Sequence, residues 1–221
     1  MNDQGPAALP ARPLYDVLKR LLDIVVGGVA LVLTSPVLLL TALAIKLGSR
    51  GPVFFRQQRV GRGEQEFTLV KFRTMHPHND DSIHRQYAKD LIRGTAESRV
   101  NEKGEEIFLL DDPRITRVGK WIRKISLDEL PNLLNVLAGD MSLVGPRPPI
   151  TYEVEEYDEH SRRKLLVKPG MTGLAQVNGR GSLTFEEIIE YDLEYVRNRS
   201  FGLDLRILAK TIPAVLFPKG V

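Results

Sequence analysis

The stretch LVLTSPVLLLTALAIK, from Leu31 to Lys46, places a Ser-Pro pair inside an apolar segment. The whole apolar segment runs from Ile24 to Ile45, 22 residues without a formal charge, and a helix needs about 20 residues to cross a membrane. It is longer than the apolar core of a signal peptide, and no small-residue cleavage motif follows it. The segment therefore predicts a retained membrane anchor.

The proline divides this anchor. Pro36 has no amide hydrogen and its ring collides with the carbonyl of Val32, so a helix is expected to bend or break there. The hydroxyl of Ser35 can donate a hydrogen bond to a carbonyl that the proline leaves free. The apolar segments on the two sides reach only about 15 to 17 Å each, at 1.5 Å per residue. Two geometries follow: a kinked crossing, or a hairpin that returns to the side it entered.

Basic residues flank the apolar segment at both ends: Arg12, Lys19 and Arg20 before it, and Lys46, Arg50, Arg56 and Arg59 after it. Because the positive-inside rule then finds no asymmetry, both flanks are expected in the cytoplasm. This favours a re-entrant membrane hairpin over residues 1–50, with Ser35 and Pro36 at its break. The kinked crossing stays open as the alternative.

The rest of the chain has the composition of a soluble domain. The 221 residues contain no cysteine and carry a formal net charge of +3, which excludes disulfides and thiolate-bound metal centres. After Gly51 no segment is long and apolar enough to span a membrane. We therefore expect a boundary near residue 50 and a catalytic domain at the cytoplasmic face over residues 51–221.

Two segments rich in strand-forming residues, PVFFRQQRV and EQEFTLVKFRTM, flank the glycine-containing turn GRGE. They predict a β-hairpin from Val53 to about Met75. Residues 76–104 are polar and irregular in pattern. The HPH at 76–78 is more typical of a loop than of a metal site, because no third ligand is close in sequence.

A basic amphipathic helix is predicted after this region. Apolar residues spaced by three and four share one face and basic residues lie beside them: Ile115, Val118, Ile122 and Ile125, with Arg114, Arg117, Lys120 and Lys124. Such a helix suits a membrane surface or a phosphate ligand, and equally a protein core with a solvated basic side. No nucleic-acid recognition motif accompanies these charges, so nucleic acid is not expected as a partner.

Asp128 and Glu129 are adjacent carboxylates in SLDELPNLLN. One interpretation is structural, because Ser126 and Glu129 match a capping box. The helix would then bury Leu130, Leu133, Leu134 and Leu137. Pro131 instead favours a helix that begins nearer Leu130, which leaves the two acids at its mouth, beside amide groups that attract phosphate. The spacing alone leaves both interpretations open.

Three long motifs stand in order along the chain: KFRTM at 71–75, DPRITRVGKWIRKISLDELPNLLNVLAGDMSLVGPRP at 112–148 and KPGMTGLAQVNGR at 168–180. Together they resemble the bacterial sugar transferase family, the monotopic phosphoglycosyl transferases. The resemblance extends from the Ser-Pro pair at 35–36 to YDLEYVRNRSFGLDLRI at 191–207. With the patterns above, it implies an α+β fold, a mostly helical membrane-associated domain with a re-entrant helix-break-helix anchor, a small β-hairpin and interfacial amphipathic helices.

The resemblance also implies a reaction: transfer of a sugar-1-phosphate from a UDP-sugar to a polyprenyl phosphate such as undecaprenyl phosphate, with release of UMP and a requirement for Mg2+. The enzyme would initiate glycoconjugate assembly as a monotopic protein of the bacterial inner membrane, in contact with membrane lipid at the cytoplasmic face. A homo-oligomer is left open.

Site residues follow from the same resemblance. Asp128 is implied as the nucleophile that attacks the β-phosphate and as a metal ligand, in ping-pong chemistry through a phosphosugar-aspartate, with Glu129 as its partner. Basic side chains are needed nearby to neutralise the diphosphate as the transition state forms. The basic positions of the family motifs, assigned here to phosphate binding, are Lys71, Arg123, Arg147 and, as a further candidate, Arg180.

The sequence departs from the family pattern at two positions. Leu174 stands where the family often has Trp, and Asn132 stands where Gln often follows DELP, which affects packing or sugar selectivity. Larger relatives carry further transmembrane helices and another domain before the catalytic part, so this chain is expected to be a minimal catalytic form.

Two C-terminal helices are predicted. Thr184 to Glu187 forms a capping box for a helix that ends near Asn198. Beyond it lies an apolar stripe that suits either a core or a membrane interface, formed by Leu205, Leu208, Ile212, Val215 and Leu216.

Two other functional classes stay open on the residues alone: a membrane glycosyltransferase that moves sugar without phosphate, and a noncatalytic anchored scaffold. Release of UMP from a UDP-sugar would identify the sugar-phosphate transferase. Release of UDP would identify the glycosyltransferase, and absence of turnover in a folded protein would leave the scaffold.

Overall fold

The computed structural model describes residues 9–77, 82–93, 114–179 and 183–216. Within these ranges the chain is mostly helical, with two small two-stranded sheets. The helices are α1 Pro13–Gly48, α2 Ser82–Ile92, α3 Arg117–Lys124, α4 Leu133–Ala138, α5 Thr151–Val154, α6 Glu159–Arg162, α7 Leu174–Asn178, α8 Phe185–Asn198 and α9 Phe201–Leu216. The strands are β1 Phe54–Val60, β2 Glu66–Phe72, β3 Ser142–Val144 and β4 Gly170–Thr172.

The anchor helix α1 is continuous over its 36 residues and runs through Pro36. The predicted break is therefore not seen as an interruption of the helix, and the re-entrant path stays a prediction. The hydroxyl of Ser35 donates to the carbonyl of Val32 at 2.7 Å. That carbonyl has no helical partner because Pro36 lacks an amide hydrogen. The predicted compensation by Ser35 is confirmed.

Among the described residues, α1 is the one helix that is long and apolar enough to cross a membrane. Much of its surface consists of exposed large apolar side chains, including Val25, Val29, Val32, Leu33, Leu39, Leu40 and Leu43. An apolar surface of this extent is unfavourable in water and is typical of a contact with lipid or with another protein.

Both halves of α1 also pack against the rest of the chain. In the first half, Ala30 and Leu31 lie against a core that includes Leu69, Leu133, Val136, Met141, Leu143, Val144, Leu174, Tyr195 and Ile207. In the second half, Ile45 is buried with Phe72 of β2 and Ile122 of α3. Val32 and Leu33, which lie between the segments that make these two core contacts, are largely exposed.

Buried polar contacts fix the first half of α1. The carboxylate of Asp23 accepts hydrogen bonds from the hydroxyl of Ser142 and the amide of Leu143, both at 2.9 Å. One turn earlier, the ammonium of Lys19 lies 2.9 Å from the carboxylate of Asp204 on α9. These bonds connect the anchor helix directly to β3 and to the C-terminal helix.

The predicted β-hairpin is confirmed. Strands β1 and β2 pair in antiparallel register, with Phe54 opposite Phe72 and Val60 opposite Glu66. The turn needs two residues with positive φ, Gly63 at 67° and Glu64 at 61°. Because β2 carries Lys71 next to buried Phe72, the hairpin places one of the predicted phosphate-binding side chains.

A second, parallel pair of strands was not predicted. Strand β3 pairs with β4, with Ser142 opposite Gly170 and Val144 opposite Thr172. A side-chain carbon on Gly170 would lie 2.1 Å from the amide nitrogen of Gly145. Only glycine permits this approach, which brings the GPRP segment next to the KPGMTG segment.

The region predicted as irregular over residues 76–104 is helical in part, because residues 82–92 form α2. That prediction is wrong over α2, whose apolar pattern is sparse: Ala88 is buried beside Ile150 and Tyr152. The exposed His76 lies outside helices and strands, as predicted. His78, with the rest of 78–81 and 94–113, lies outside the described residues.

Helix α3 matches the core-facing alternative, and its contact with a membrane surface or a phosphate stays a prediction. Ile122 is buried and Val118 packs beside it against α1, so the apolar face belongs to the core. The opposite side is solvated, with Lys120 and Lys124 exposed on either side of Trp121, whose exposure is 62%. The helix is therefore core-facing and also presents a basic, aromatic surface.

The C-terminal helices follow the predicted pattern closely. Thr184 and Glu187 form the predicted capping box, with bonds of 2.8 and 3.3 Å, and α8 ends at Asn198. On α9, Leu208 is partly buried against the main core, whereas Leu205 and Ile212 are exposed. The side chains of Val215 and Leu216 lie outside the part of the chain that the structure describes.

A first prediction tests the connection between α1 and β3. Asp23→Leu leaves the Ser142 hydroxyl and the Leu143 amide without an acceptor, and each buried unpaired group costs about 1–3 kcal/mol. We expect a clear drop in the unfolding temperature in detergent, and a smaller drop for Asp23→Asn, which keeps one acceptor oxygen. The control is Asp16→Asn, a substitution at an exposed residue of the same helix, which should leave the unfolding temperature unchanged. An Asp23→Leu protein that unfolds at the wild-type temperature would refute the role of these bonds.

Candidate active site

The adjacent acids lie on a 3-10 turn, Leu127–Asn132, that precedes α4. Ser126, before the turn, has a left-handed backbone with φ of 56°, and its side chain makes no capping bond. The predicted capping box between Ser126 and Glu129 is therefore wrong, because the side chain of Ser126 does not cap this turn. The predicted buried face is also wrong in part, since Leu134 is exposed while Asn135 and Val136 are buried.

The carboxylate of Glu129 is held by basic side chains from two other elements. Its Oε1 lies 2.7 Å from the ammonium of Lys71 on β2 and 3.6 Å from the guanidinium of Arg147, which follows β3. Pro146 and Pro148 restrict the backbone on both sides of Arg147. Three segments that are distant in sequence thus bring four of the predicted site residues together: Lys71, Asp128, Glu129 and Arg147.

The electrostatics of this group reflect its burial. Burial raises the pKa of the Asp128 carboxyl, and the neighbouring Glu129 adds to the increase, while Lys71 and Arg123 oppose it. Burial lowers the pKa of the Lys71 ammonium, and Arg147 adds to the decrease, while Glu129 opposes it. Two acids and several cations therefore share a partly dehydrated space in which an added phosphate would interact strongly.

Arg123 reaches the same region from α3. Its Nε donates to the hydroxyl of Thr74 at 2.9 Å, which fixes the guanidinium at the end of β2. Its charge opposes the increase that burial causes in the pKa of the Asp128 carboxyl. Arg180, the remaining predicted phosphate ligand, lies outside the described residues.

One asparagine aligns the turn with the hairpin. The side chain of Asn135 accepts a hydrogen bond from the amide of Val70 at 3.2 Å and donates to the carbonyl of Thr68 at 2.8 Å. Because Val70 precedes Lys71 and α4 follows the acids directly, this pair of bonds sets the distance between Lys71 and Glu129.

The acids and cations border a small open cleft, lined by Arg59, Leu69, Lys71, Glu129, Asn132, Met141, Arg147, Pro148, Gly170, Met171 and Gln176. Three of its polar side chains were not predicted as site residues: Arg59, Asn132 and Gln176. Asn132 directly follows DELP and Gln176 belongs to the KPGMTGLAQVNGR motif, so motif membership could have pointed to both. The sequence pattern marks Arg59 only as one of the basic residues that flank the apolar segment.

Arg59 is built into the floor of the cleft. Its guanidinium donates to the carbonyl of Pro148 at 2.9 Å and to the side-chain oxygen of Gln57 at 2.7 Å. The amide of Val60 also donates to the carbonyl of Pro149 at 3.0 Å. Burial, with a contribution from Arg147, lowers the pKa of Arg59 to about 10. These bonds attach the segment that carries Arg147 to β1.

Comparison with known proteins identifies the family of the chain. Residues 14–218 match the family model for bacterial sugar transferases. The chain belongs to the bacterial sugar transferase family. It is 40% identical over 209 residues to the exopolysaccharide production protein ExoY of Sinorhizobium fredii, covering 95% of this chain and 90% of that protein.

Two relatives of this sugar transferase have more specific names. The UDP-glucose:undecaprenyl-phosphate glucose-1-phosphate transferase of Xanthomonas campestris is 41% identical, over 93% of this chain and 40% of that protein. The undecaprenyl-phosphate galactose phosphotransferase of Salmonella typhimurium is 41% identical, over 92% of this chain and 41% of that protein. The family and these names support the predicted enzyme class, a sugar-phosphate transferase.

The acids of the sugar transferase also fit a Mg2+ ion that is completed by substrate. No group of three or more metal-binding side chains occurs among the described residues. Mg2+ is commonly held by one or two carboxylates together with substrate phosphates and water, so the carboxylate of Asp128 is compatible with such an ion.

A second prediction concerns the entry to the acidic turn. Valine is strongly disfavoured at positive φ, so Ser126→Val should destabilise the transferase by about 1–3 kcal/mol and displace Asp128 and Glu129. Glycine adopts this conformation freely, so Ser126→Gly should keep the wild-type unfolding temperature. Thermal unfolding of both variants in detergent measures the effect. Equal unfolding temperatures for valine and glycine would show that the left-handed backbone at 126 is not required.

Proposed function

We propose that this bacterial sugar transferase moves a sugar-1-phosphate from a UDP-sugar to a polyprenyl phosphate and releases UMP. The observation that carries the proposal is the half-buried pair of acids beside Lys71, Arg123 and Arg147, because a carboxylate can approach a diphosphate only where cations offset the repulsion. The names of the Xanthomonas and Salmonella relatives, which contain both a sugar phosphate and undecaprenyl phosphate, support the same reaction.

In the proposed first step, a carboxylate oxygen of Asp128 attacks the β-phosphorus of the UDP-sugar. The bond from that phosphorus to the bridging oxygen breaks, UMP leaves with the electron pair, and a phosphosugar-aspartate forms. In the second step, a phosphate oxygen of the polyprenyl phosphate attacks the same phosphorus and Asp128 leaves as a carboxylate. The polyprenyl-diphosphate-sugar is the product, and each step exchanges one P–O bond for another.

The other charged side chains have distinct roles in this proposal. Lys71 and Arg147 stabilise charge that develops on the β-phosphate oxygens, and Arg123 contributes from the α3 side. Glu129 keeps Lys71 and Arg147 together through its Oε1, which leaves the carboxylate of Asp128 for the phosphorus. Asp128, with Glu129 beside it, would hold Mg2+ against the diphosphate, and the ion would supply Lewis-acid polarisation of the phosphoryl oxygens.

A third prediction tests the covalent step. With UDP-sugar and Mg2+ but no lipid acceptor, UMP should appear in a burst that approaches one equivalent of enzyme. The trapped protein should gain the mass of one sugar phosphate on Asp128, which peptide mass spectrometry can locate. Asp128→Asn should abolish burst and adduct, because an amide is a poor nucleophile. Glu129→Gln should slow turnover and still permit some adduct.

The control for this experiment is Glu155→Gln, an exposed acid of the same domain, which should behave as the wild type. Direct attack by the acceptor would give turnover with lipid but neither burst nor adduct without it. That result would remove Asp128 as the nucleophile while keeping the overall reaction. Release of UDP instead of UMP would identify a glycosyltransferase and refute the proposed function.

A fourth prediction concerns Arg147. If its planar guanidinium binds phosphate through two N–H groups, lysine cannot reproduce the contact, so Arg147→Lys should lower kcat by roughly ten-fold or more. Because Arg147 is exposed, with 56% of its side chain accessible, the unfolding temperature should stay within about 2 °C. Arg163→Lys, at another exposed arginine, is the matched control. Wild-type kcat in the Arg147→Lys protein would exclude Arg147 from phosphate binding.

We further infer that α1 is a re-entrant anchor in the bacterial inner membrane, with the catalytic part at the cytoplasmic face. Asp23 is bonded to β3 and Ile45 is packed against β2 and α3, so both ends of the apolar segment contact one folded unit. A crossing would put these partners on opposite sides of the bilayer. Within the described ranges no second helix could carry the chain back.

The surface of α3 supports the same placement. Trp121 is exposed between Lys120 and Lys124, and aromatic rings flanked by basic side chains are typical of the membrane interface. The exposed Leu205 and Ile212 of α9 provide further apolar surface. The membrane contact proposed here therefore includes α1 and the outer sides of α3 and α9.

A fifth prediction tests the topology. The chain has no cysteine, so single cysteines introduced near Asn2 and near Lys219 report the location of the termini. Both should be protected from an impermeant thiol reagent in intact cells and labelled after permeabilisation. Pro36→Ala restores the missing helical hydrogen bond and should increase labelling of the N-terminal cysteine in intact cells. Labelling of the wild-type N-terminal cysteine with the other protected would show a crossing.

A further inference from the structure

Three polar atoms that line the cleft have no hydrogen-bond partner in the described part of the chain. They are the side-chain oxygens of Asn132 and Gln176 and the Nε of Arg59. Asn132 is only 3% exposed and Arg59 only 8%. A buried polar atom without a partner is costly to a folded protein, so such atoms call for a ligand or water that completes them.

The position of Asn132 relates these atoms to the acids. It follows Glu129 by three residues on the 3-10 turn, and residues at this spacing share one side of such a helix. The unpaired oxygen therefore lies on the cleft side, one turn from the acidic pair. By contrast, the side-chain oxygen and nitrogen of Asn135, one turn later, both form hydrogen bonds to the backbone of β2.

The position of Gln176 is fixed from the opposite side of the cleft. A side-chain carbon on Gly173 would lie 2.3 Å from the carbonyl of Gly145 and 2.6 Å from the side-chain oxygen of Gln176. The start of α7 is therefore pressed against the segment that leads to Arg147. This contact leaves Gln176 little freedom to move away from the cleft.

We propose that Asn132, Gln176 and Arg59 form the subsite that binds hydroxyl groups of the transferred sugar. The proposal rests on the proposed function, since it assigns the sugar of the UDP-sugar donor to these side chains. A sugar hydroxyl both donates and accepts hydrogen bonds, so it can meet the two carboxamides and the guanidinium N–H together. A phosphate is a poorer match, because it has only acceptor oxygens at neutral pH and would face two carboxamide oxygens.

The covalent structure of the donor distinguishes the sugar from the uracil. The sugar is attached directly to the β-phosphate that Asp128 attacks, whereas the uracil is separated from that phosphorus by the second phosphate and the ribose. A polar group one turn from the acids is therefore within reach of the sugar. Leu69, Met141 and Met171, which also line the cleft, provide apolar contact for the C–H groups of a pyranose ring.

The test compares donors that differ from UDP-glucose at a single position of the sugar: the configuration at C4, the substituent at C2, or the hydroxymethyl group at C5. UMP release is measured with UDP-glucose, UDP-galactose, UDP-N-acetylglucosamine and UDP-xylose for the wild type, Asn132→Ala and Gln176→Ala. Loss of a hydrogen bond to the sugar should lower kcat/KM for the preferred donor about ten-fold or more. The preference over the donor that differs at the contacted hydroxyl should fall by a similar factor. Asn198→Ala and Gln86→Ala, both exposed, should keep the wild-type preference.

A binding measurement in the Asp128→Asn protein, which cannot form the adduct, separates the sugar from the rest of the nucleotide without chemistry. UDP-sugar should raise the unfolding temperature of Asp128→Asn more than UDP does, and this difference should shrink when Asn132→Ala or Gln176→Ala is added. The inhibition constant of UDP should be unchanged. Asn132→Gln should restore binding with an altered donor preference, because it keeps the carboxamide and moves it by one methylene.

The outcomes are distinguishable. An increased inhibition constant for UDP would assign these side chains to the nucleotide and overturn the sugar subsite. Equal losses for every donor, with unchanged donor preference, would indicate a structural role and would also overturn it. If Asn132→Ala does not fold, the half-buried Gln176→Ala gives the same comparison. If the wild type releases no UMP from any donor, the proposed function itself fails, and the sugar subsite fails with it.

Discussion

The attachment of both halves of α1 to the catalytic part is the constraint on which the site depends. Asp23 is bonded to the first two residues of β3, and β3 leads within a few residues to Arg147. Ile45 packs against Phe72 and Ile122, the neighbours of Lys71 and Arg123. Lys71 and Arg123 are therefore each adjacent in sequence to a residue that packs against α1, and Arg147 closely follows a strand that is hydrogen-bonded to α1. A displacement of α1 would move the cations relative to the acids, so the apolar helix is part of the support of the active site as well as a membrane contact.

The site itself concentrates opposite charges in a space with little water. Glu129 carries Lys71 and Arg147 on one carboxylate oxygen, while burial raises the pKa of the neighbouring Asp128. Replacing these groups by apolar side chains would remove their cost of burial, so their presence is better explained by chemistry than by stability. The same arrangement suits a diphosphate, because the cations gain interaction energy when a second negative group enters. Within the described residues Asp128 forms no direct ion pair, so it is the less engaged of the two acids.

Much of the fold could be predicted from the sequence, where the pattern was local. The β-hairpin follows from alternating strand-forming residues around GRGE, α8 follows from the Thr184–Glu187 capping box, and the partner of Ser35 follows from the missing amide of Pro36. The pairing of β3 with β4 could not be predicted, since each strand has three residues and the contact depends on glycines distant in sequence. The motifs predicted Lys71, Glu129 and Arg147 correctly as neighbours. They did not predict that Arg59 lines the cleft, because its partner Pro148 is distant in sequence and comes close only when the chain folds.

Ser126 shows why the same residues support two interpretations in sequence and only one in the structure. In the extended conformation typical of an N-cap residue, Ser126 could form a capping box with Glu129, and the carboxylate of Glu129 would be used by the backbone. The left-handed φ of 56° at Ser126 removes that arrangement, and the carboxylate turns to Lys71 instead. The following 3-10 geometry then puts Asn132 on the side of Glu129, toward the cleft. A capping box in this segment would give a more regular helix, but it would withdraw both Glu129 and Asn132 from the cleft. The irregular turn is therefore the local structure that makes a charged reaction centre and an adjacent polar subsite compatible.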